Sequence, residues 1–153
     1  KIGSLPELKS TDVCEVVGHV VDYIRCRASN RVAITADLPE GRVETPLCAP
    51  LFEWVVENLC KNAIDAMDSK GSIAITVRKE AYMCSIEVAD TGKGIPPGRW
   101  KTIFLPGYTT KSRGWGLGLS LAKRIVEEYH RGRIFVKSSD PASGTVFRIE
   151  LNS

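Results

Sequence analysis

The chain has 153 residues, of which 43% are hydrophobic and 25% charged, and its 21 basic and 18 acidic side chains leave a formal net charge of +3. That is the size of one domain with ample apolar surface to bury, so neither a disordered chain nor two independent cores is expected. The charge is too balanced for a nucleic-acid partner, and no apolar run approaches the roughly 20 residues of a membrane span. The opening stretch Lys1 to Pro6 holds no long apolar run, so no secretory signal is expected within it.

Residues 1–11, with Gly3 and Pro6, read as a leading linker, and residues 12–153 as the domain. Thr11 or Asp12 can cap a helix in which Val13, Val16, Val17, Val20, Val21 and Ile24 recur at helical spacing. Val32, Ile34 and Ala36 alternate as a short strand, and Leu38 to Gly41 is a turn. From Pro50 to Met67, Phe52, Val55, Val56, Leu59 and Ala63 form one apolar stripe, with Gly71 as the stop. Two alternating runs follow, Ile73/Ile75/Val77 and Cys84/Ile86/Val88, joined by a hairpin at Glu80-Ala81-Tyr82. Residues 98–115 read mostly as a mobile loop with one short helix near Trp100–Phe104. A helix is expected from Leu117 to Tyr129, then a strand at Ile134/Val136, a turn at Asp140–Gly144 and a last strand through Phe147, Ile149 and Leu151.

The five cysteines, at 14, 26, 48, 60 and 84, are odd in number and form no Cys-x-x-Cys pair. They read as reduced thiols in a cytoplasmic protein, not as a disulfide framework or zinc site. His19 and His130, the two histidines, read as structural or surface residues.

Three constellations carry chemistry. Asn58, Asn62 and Asp65 lie at i, i+4 and i+7 of the second helix, within roughly 60° of one another. They sit at the margin of the apolar stripe, where polar groups need partners, while Glu53, Trp54, Glu57 and Lys61 face solvent. Boundary residues bonding a neighbouring loop are the plain explanation; three on one stripe favour a polar ligand, and oxygen donors suit Mg²⁺ with phosphates. Next, Asp90 closes a strand and Gly92 and Gly94 follow, leaving a fixed acceptor beside approachable backbone; alone this is also a common Asp-x-Gly turn. Last, Gly114, Gly116 and Gly118 around Leu117 and Leu119 open a helix, where free N–H groups suit an anion. No strand precedes them as a dinucleotide fingerprint requires, and no Gly-x-x-x-x-Gly-Lys-Ser/Thr loop occurs.

Taken in order, these segments resemble the ATP-binding superfamily of gyrase, heat-shock chaperones, histidine kinases and mismatch-repair proteins. Asn58-Leu59-Cys60-Lys61-Asn62-Ala63-Ile64-Asp65-Ala66-Met67 is similar to its N box, and Asp90-Thr91-Gly92-Lys93-Gly94-Ile95 to its first glycine box. Ile103-Phe104-Leu105-Pro106-Gly107-Tyr108-Thr109-Thr110-Lys111 resembles the F box of sensor histidine kinases. Gly114 to Leu119 resembles the second glycine box, and Gly144-Thr145-Val146-Phe147 the closing glycine strand.

The resemblance implies an α+β two-layer sandwich, a mixed, mainly antiparallel sheet covered on one face by about three helices. It implies ATP and Mg²⁺ as cofactors. Asn62 would coordinate the metal and Asn58 would support metal or phosphates, with Asp65 beside them. Asp90 would accept the adenine amine, Gly92 and Gly94 would admit the base, and Ile95 would line its pocket. Thr109, Thr110, Lys111 and Arg113 would belong to a lid spanning 97–116, and Gly114, Gly116, Leu117, Gly118 and Leu119 would cradle phosphates. Asn58, Asn62 and Lys111 would carry the catalytic roles. The implied partners are a phosphoacceptor histidine domain and a response regulator; the parent would be a homodimer and this fragment a monomer, its membrane attachment open.

One departure is informative. The gyrase and chaperone branches place a Glu four residues before the metal Asn to activate water, and the matching residue here is Asn58. An amide takes no proton at neutral pH, so hydrolysis should be poor. Neither histidine has a phosphoacceptor context, which points to a catalytic domain whose acceptor lies elsewhere. A serine protein kinase of the same superfamily and a non-catalytic nucleotide sensor are the alternatives.

Overall fold

The computed structural model describes residues 5–108 and 118–152. In chain order the elements are β1 (Lys9–Asp12), α1 (Val13–Arg27), β2 (Val32–Asp37), β3 (Glu44–Leu47), α2 (Ala49–Ala66), β4 (Gly71–Lys79), β5 (Met83–Asp90), α3 (Gly118–Arg124), β6 (Arg133–Asp140) and β7 (Gly144–Asn152). Five strands form one sheet in the order β2-β4-β5-β7-β6, and β1 pairs with β3 in a separate ladder. β2 runs parallel to β4; the other neighbours are antiparallel. This is the expected mixed α+β sandwich.

Strand alternation sends one set of side chains inward. The register lines up two rows across four strands: Ile75–Val88–Phe147–Val136, and Val77–Ile86–Ile149–Ile134. Every one of these side chains is buried. The stripes of α1 (Val13, Val17, Val20, Val21, Ile24) and α2 (Phe52, Val55, Val56, Leu59, Ala63) close over them. Each of these Val, Leu, Ile and Phe side chains contributes about 1.5–3 kcal/mol. The opposite sheet face is polar. There Glu87 accepts from Lys137 Nζ at 2.8 Å and from Arg148 at 2.7 Å, and Arg148 also bonds Glu150.

Several local readings change. Lys9–Asp12, placed in the linker and its cap, forms β1; this strand and β3 are four residues each and too short for a periodic signal. Asp12 does cap α1, its Oδ1 accepting from the N–H groups of Cys14 and Val43. α2 ends at Ala66, ahead of Gly71, because Asp68 and Ser69 take left-handed φ values of 52° and 63°. Trp54 is half-buried against the core instead of facing solvent. The short helix expected near Trp100–Phe104 is present as a tight turn at Thr102–Phe104, which buries Ile103 and Phe104, with Phe104 edge-on to Phe147 at 6.0 Å, while a second tight turn at Pro97–Arg99 stays exposed. The last helix is not uniform; α3 passes into a π-helical turn over Ile125–Tyr129.

Among the described residues no helix is long and apolar enough to cross a membrane. All five cysteines are unbridged, and burial pushes the thiols of Cys60 and Cys84 up to about 12 and about 11, which makes both unreactive.

Candidate functional site

The site is organised along one line of α2. Asn58, Asn62 and Ala66 follow one another at i+4 steps, so they share a face over about 12 Å. At the Ala66 end sits the loop after β5. The Lys93 N–H donates to the Ala66 carbonyl at 3.1 Å. A Cβ on Gly92 would lie 2.7 Å from that carbonyl oxygen and 2.8 Å from the Ala66 Cβ, so only glycine permits this approach.

Asp90 closes β5 with 6% of its surface exposed. Its Oδ1 accepts from the N–H of Gly92 at 2.8 Å and from the N–H of Thr145 at 3.3 Å. Both bonds fall on Oδ1, and among the described residues nothing donates to Oδ2. Burial raises the carboxyl pKa above its ordinary value, and the two N–H donors pull it back. The result is a held carboxylate with one oxygen to offer. Gly144 presses its backbone on the Asp90 carbonyl so closely that a Cβ there would lie 1.9 Å from the oxygen, at a φ of +89°. Ile95 is held beside this cluster: its N–H donates to Ser139 Oγ at 2.7 Å, and Trp100 Nε1–H donates to its carbonyl at 2.8 Å.

At the other end, a Cβ on Gly118 would lie 2.8 Å from Asn58 Oδ1 and 3.0 Å from Nδ2. The start of α3 therefore touches the α2 amide directly. Asn58 Nδ2 is buried and finds no acceptor among the described residues. A buried donor without a partner costs about 1–3 kcal/mol, and a ligand oxygen would relieve it.

Residues 49–153 match the model of the family described as histidine kinase-, DNA gyrase B- and HSP90-like ATPase. The chain belongs to this ATPase family. It is 34% identical over 142 residues to sporulation kinase E of Bacillus subtilis (strain 168), covering 91% of this chain and 19% of that protein. It is 43% identical over 136 residues to the sensor histidine kinase ZraS of Escherichia coli O157:H7, covering 86% of this chain and 29% of the relative. Its fold superposes on the catalytic domain of the histidine kinase ThkA with a TM-score of 0.87 at 26% identity, covering 96% of each chain. The chain thus spans less than a third of the length of the curated relatives quoted.

In this ATPase domain the anticipated residues separate into three groups. Asn58, Asn62, Asp90, Gly92, Ile95 and Gly118 line or shape the two ends of the α2 face, with Leu119 half-buried beside Gly118, whereas Gly94 packs against the turn after β6, where a Cβ would lie 2.8 Å from the Asp140 carbonyl oxygen. Asp65 is exposed at the margin of that face. Thr109, Thr110, Lys111, Arg113, Gly114, Gly116 and Leu117 lie outside the described residues. Lys61 turns away: it pairs with Glu57 at 3.1 Å and borders a groove shared with Tyr23 and Ile24 of α1. Sequence reading placed Thr145 only in the closing strand and did not name Ser139, so it foresaw neither as a support of Asp90 and Ile95. Thr145 lies 55 residues from its partner, and only its glycine neighbour hinted at a close approach.

The donor set fits ATP with a divalent cation. The orphan Asn58 N–H and the glycine contact beside it suit a phosphate oxygen, and the amide oxygens of Asn58 and Asn62 are neutral donors of the kind a hard cation already bearing phosphate charge accepts. Among the described residues no three His, Cys, Asp or Glu side chains gather as a self-sufficient metal cage.

Proposed function

We propose that this domain binds ATP with Mg²⁺ and presents the γ-phosphoryl group to a histidine of a separate domain in a sensor histidine kinase. The observation that carries the reading is Asp90, a buried acid whose Oδ1 is locked by two backbone N–H groups while Oδ2 stays open. An acceptor that cannot turn or shed its neighbours is suited to the exocyclic amine of adenine. The base then lies near Ala66 and Ile95, and the phosphates extend along α2 toward Asn62 and Asn58.

Asn62 and Asn58 are the residues that would hold the cation, which when bound neutralises charge on the β- and γ-phosphates. The resemblance would assign further phosphate donors to Lys111, Arg113, Thr109 and Thr110 and close backbone approach to Gly116, all outside the described residues, and Gly118 would add the same approach beside Asn58. The acceptor imidazole nitrogen forms a bond to phosphorus as the β–γ bridging bond breaks, and ADP leaves. This domain contributes positioning and electrostatic stabilisation, with no covalent intermediate on its own side chains. Asn58 supplies no base, so water is a poor competitor for the γ-phosphoryl group. The phosphoryl group would next pass to an aspartate of a response regulator; a structural neighbour, ThkA, has been solved in complex with the response regulator TrrA.

The test mixes the domain with ATP·Mg²⁺ and the separately made phosphoacceptor hairpin of its parent kinase. Acid-labile phosphohistidine should form on the hairpin, and the domain alone should release negligible phosphate. Tight nucleotide binding without transfer would leave a sensor module; steady phosphate release would contradict the role given to Asn58.

A further inference from the structure

His130 is buried at 6% exposure in a place where the nucleotide reading gives it no task. Its Nε2 accepts from the Cys48 N–H at 3.0 Å, and its Nδ1 lies 2.9 Å from the Ile125 carbonyl. A backbone N–H can only donate and a carbonyl can only accept, so the ring is neutral with its proton on Nδ1. The ring also packs on Phe52 of α2, centroids 6.0 Å apart. The π-helical turn places it there. His130 N–H donates to Ile125 O at 3.1 Å, Gly132 N–H donates to Val126 O at 2.9 Å, and Arg131 takes a left-handed φ of 57°.

Cys48 is the residue that caps α2, and it does so without a side-chain bond. α2 and α3 thus run in opposite directions with a specific contact at each end. Asn58 meets Gly118 at one, and Cys48 meets His130 at the other, about 15 Å away along α2. Between them Ala122, Ile125 and Val126 are buried. Apolar burial holds a helix down but is not directional; it does not fix rotation or axial register. The imidazole does. We propose that His130 is a positioning residue: its neutral ring clasps the end of α3 to the cap of α2 and thereby sets where Gly118 meets Asn58 at the nucleotide site.

The inference rests on the nucleotide reading for its functional consequence only. Protonation puts a second N–H on Nε2, facing the Cys48 N–H, so the clasp opens. The neighbouring charges do not take over this role. Glu127 is committed to Lys123 and the Ile134 N–H, Glu128 to Arg124, Arg133 to Glu150 and Glu44 to Arg42, and Glu53 Oε2 lies 3.8 Å from His19 Nδ1. Burial lowers the imidazole pKa while the Ile125 carbonyl raises it, leaving it below the ordinary value. The neutral clasp is therefore complete above that ordinary value and is lost as pH falls through the lowered one.

The experiment is a pH titration of the whole domain followed by amide and imidazole ¹⁵N NMR, alongside binding of a non-hydrolysable ATP analogue. In the wild type, the His130 ring should titrate as an Nδ1–H tautomer, and the amides of Cys48, Gly118 and Asn58 should shift with the same midpoint. Analogue affinity should fall about fivefold or more across that midpoint. His130→Gln can still accept from Cys48 and donate to Ile125, and should recover most of the binding while losing this pH step. His130→Phe should bind weakly at every pH. Gly118 and Asn58 amides that ignore the His130 midpoint would overturn the proposal, as would a pH step surviving in His130→Gln. If no analogue binds at any pH the nucleotide reading fails, yet the amide shifts still decide the clasp. They also decide it if His130→Phe does not fold.

Discussion

The two ends of the α2 face are built differently. At the Ala66 end the protein satisfies itself: Asp90 Oδ1 has two backbone donors, Gly92 seats on Ala66, Gly144 on the Asp90 carbonyl, and Ser139 receives the Ile95 N–H. At the Asn58 end an amide nitrogen is buried without an acceptor among the described residues, against a glycine that opens α3. One end is held in place by the protein's own bonds, with Asp90 Oδ2 left to offer; the other keeps a buried donor that a ligand oxygen would satisfy. On the proposed reading, such a site would read the base by preorganisation and spend ligand contacts on the phosphates, where the chemistry would happen.

The sharpest way to break this contrast is to damage the Ala66 end. Gly144→Ala should be the most destructive change. Its Cβ would fall 1.9 Å from backbone oxygen at a φ of +89°, and neither atom can step aside. We expect a loss of about 3 kcal/mol or more in denaturant unfolding, with nucleotide binding lost through the fold. A near-native midpoint would mean that β5 and β7 are not locked at Asp90.

Asp90→Asn separates recognition from stability. Asparagine keeps an oxygen for Gly92 and Thr145 but turns an N–H₂ toward the ligand amine. Affinity for ATP should fall about tenfold to hundredfold by calorimetric titration. The fold should not suffer. The raised carboxyl pKa means that the ionised acid is held at a cost near neutral pH, so a neutral amide leaves thermal stability unchanged or slightly higher. Equal affinity in the two proteins would remove the adenine contact.

At the other end, Asn58→Ala should show the opposite economy. It removes a buried donor that has no described partner, so stability without ligand should change by less than about 1 kcal/mol. The gain in ATP affinity on adding Mg²⁺ should shrink. Titration with and without the cation checks this, and an undiminished Mg²⁺ gain would place the metal away from Asn58.

How far these features were legible in the sequence follows the same divide. The α2 stripe is written in helical period and residue type together, and the acid that ends β5 is marked by the glycines that follow it. These are local signals, and they brought Asn58, Asn62 and Asp90 into view. What stayed hidden is tertiary. β1 and β3 stabilise each other in a ladder of four residue pairs, with Pro46 inside it. His130 finds Cys48 across 82 positions, and no pattern around either residue marks the partner. The 97–108 segment looked loose because its apolar residues lack a period, yet Ile103 and Phe104 are anchored by tight turns that need none.

The smallest expected effect lies on the far face of the sheet, and it sharpens the contrast by its indifference to ligand. Burial alone raises the Glu87 carboxyl pKa, but Lys137 and Arg148 overcome that and hold it below the ordinary value. A lowered folded pKa stabilises above the unfolded value and is lost as pH falls through the folded one. Glu87→Gln should therefore cost about 1 kcal/mol near neutral pH, the cost should vanish in acid, and ATP affinity should stay constant. A destabilisation that persists unchanged into acid would mean that Glu87 acts by packing, not charge. A change in ATP affinity would mean that the two faces of the sheet are coupled, and the site could no longer be described from α2, β5 and α3 alone.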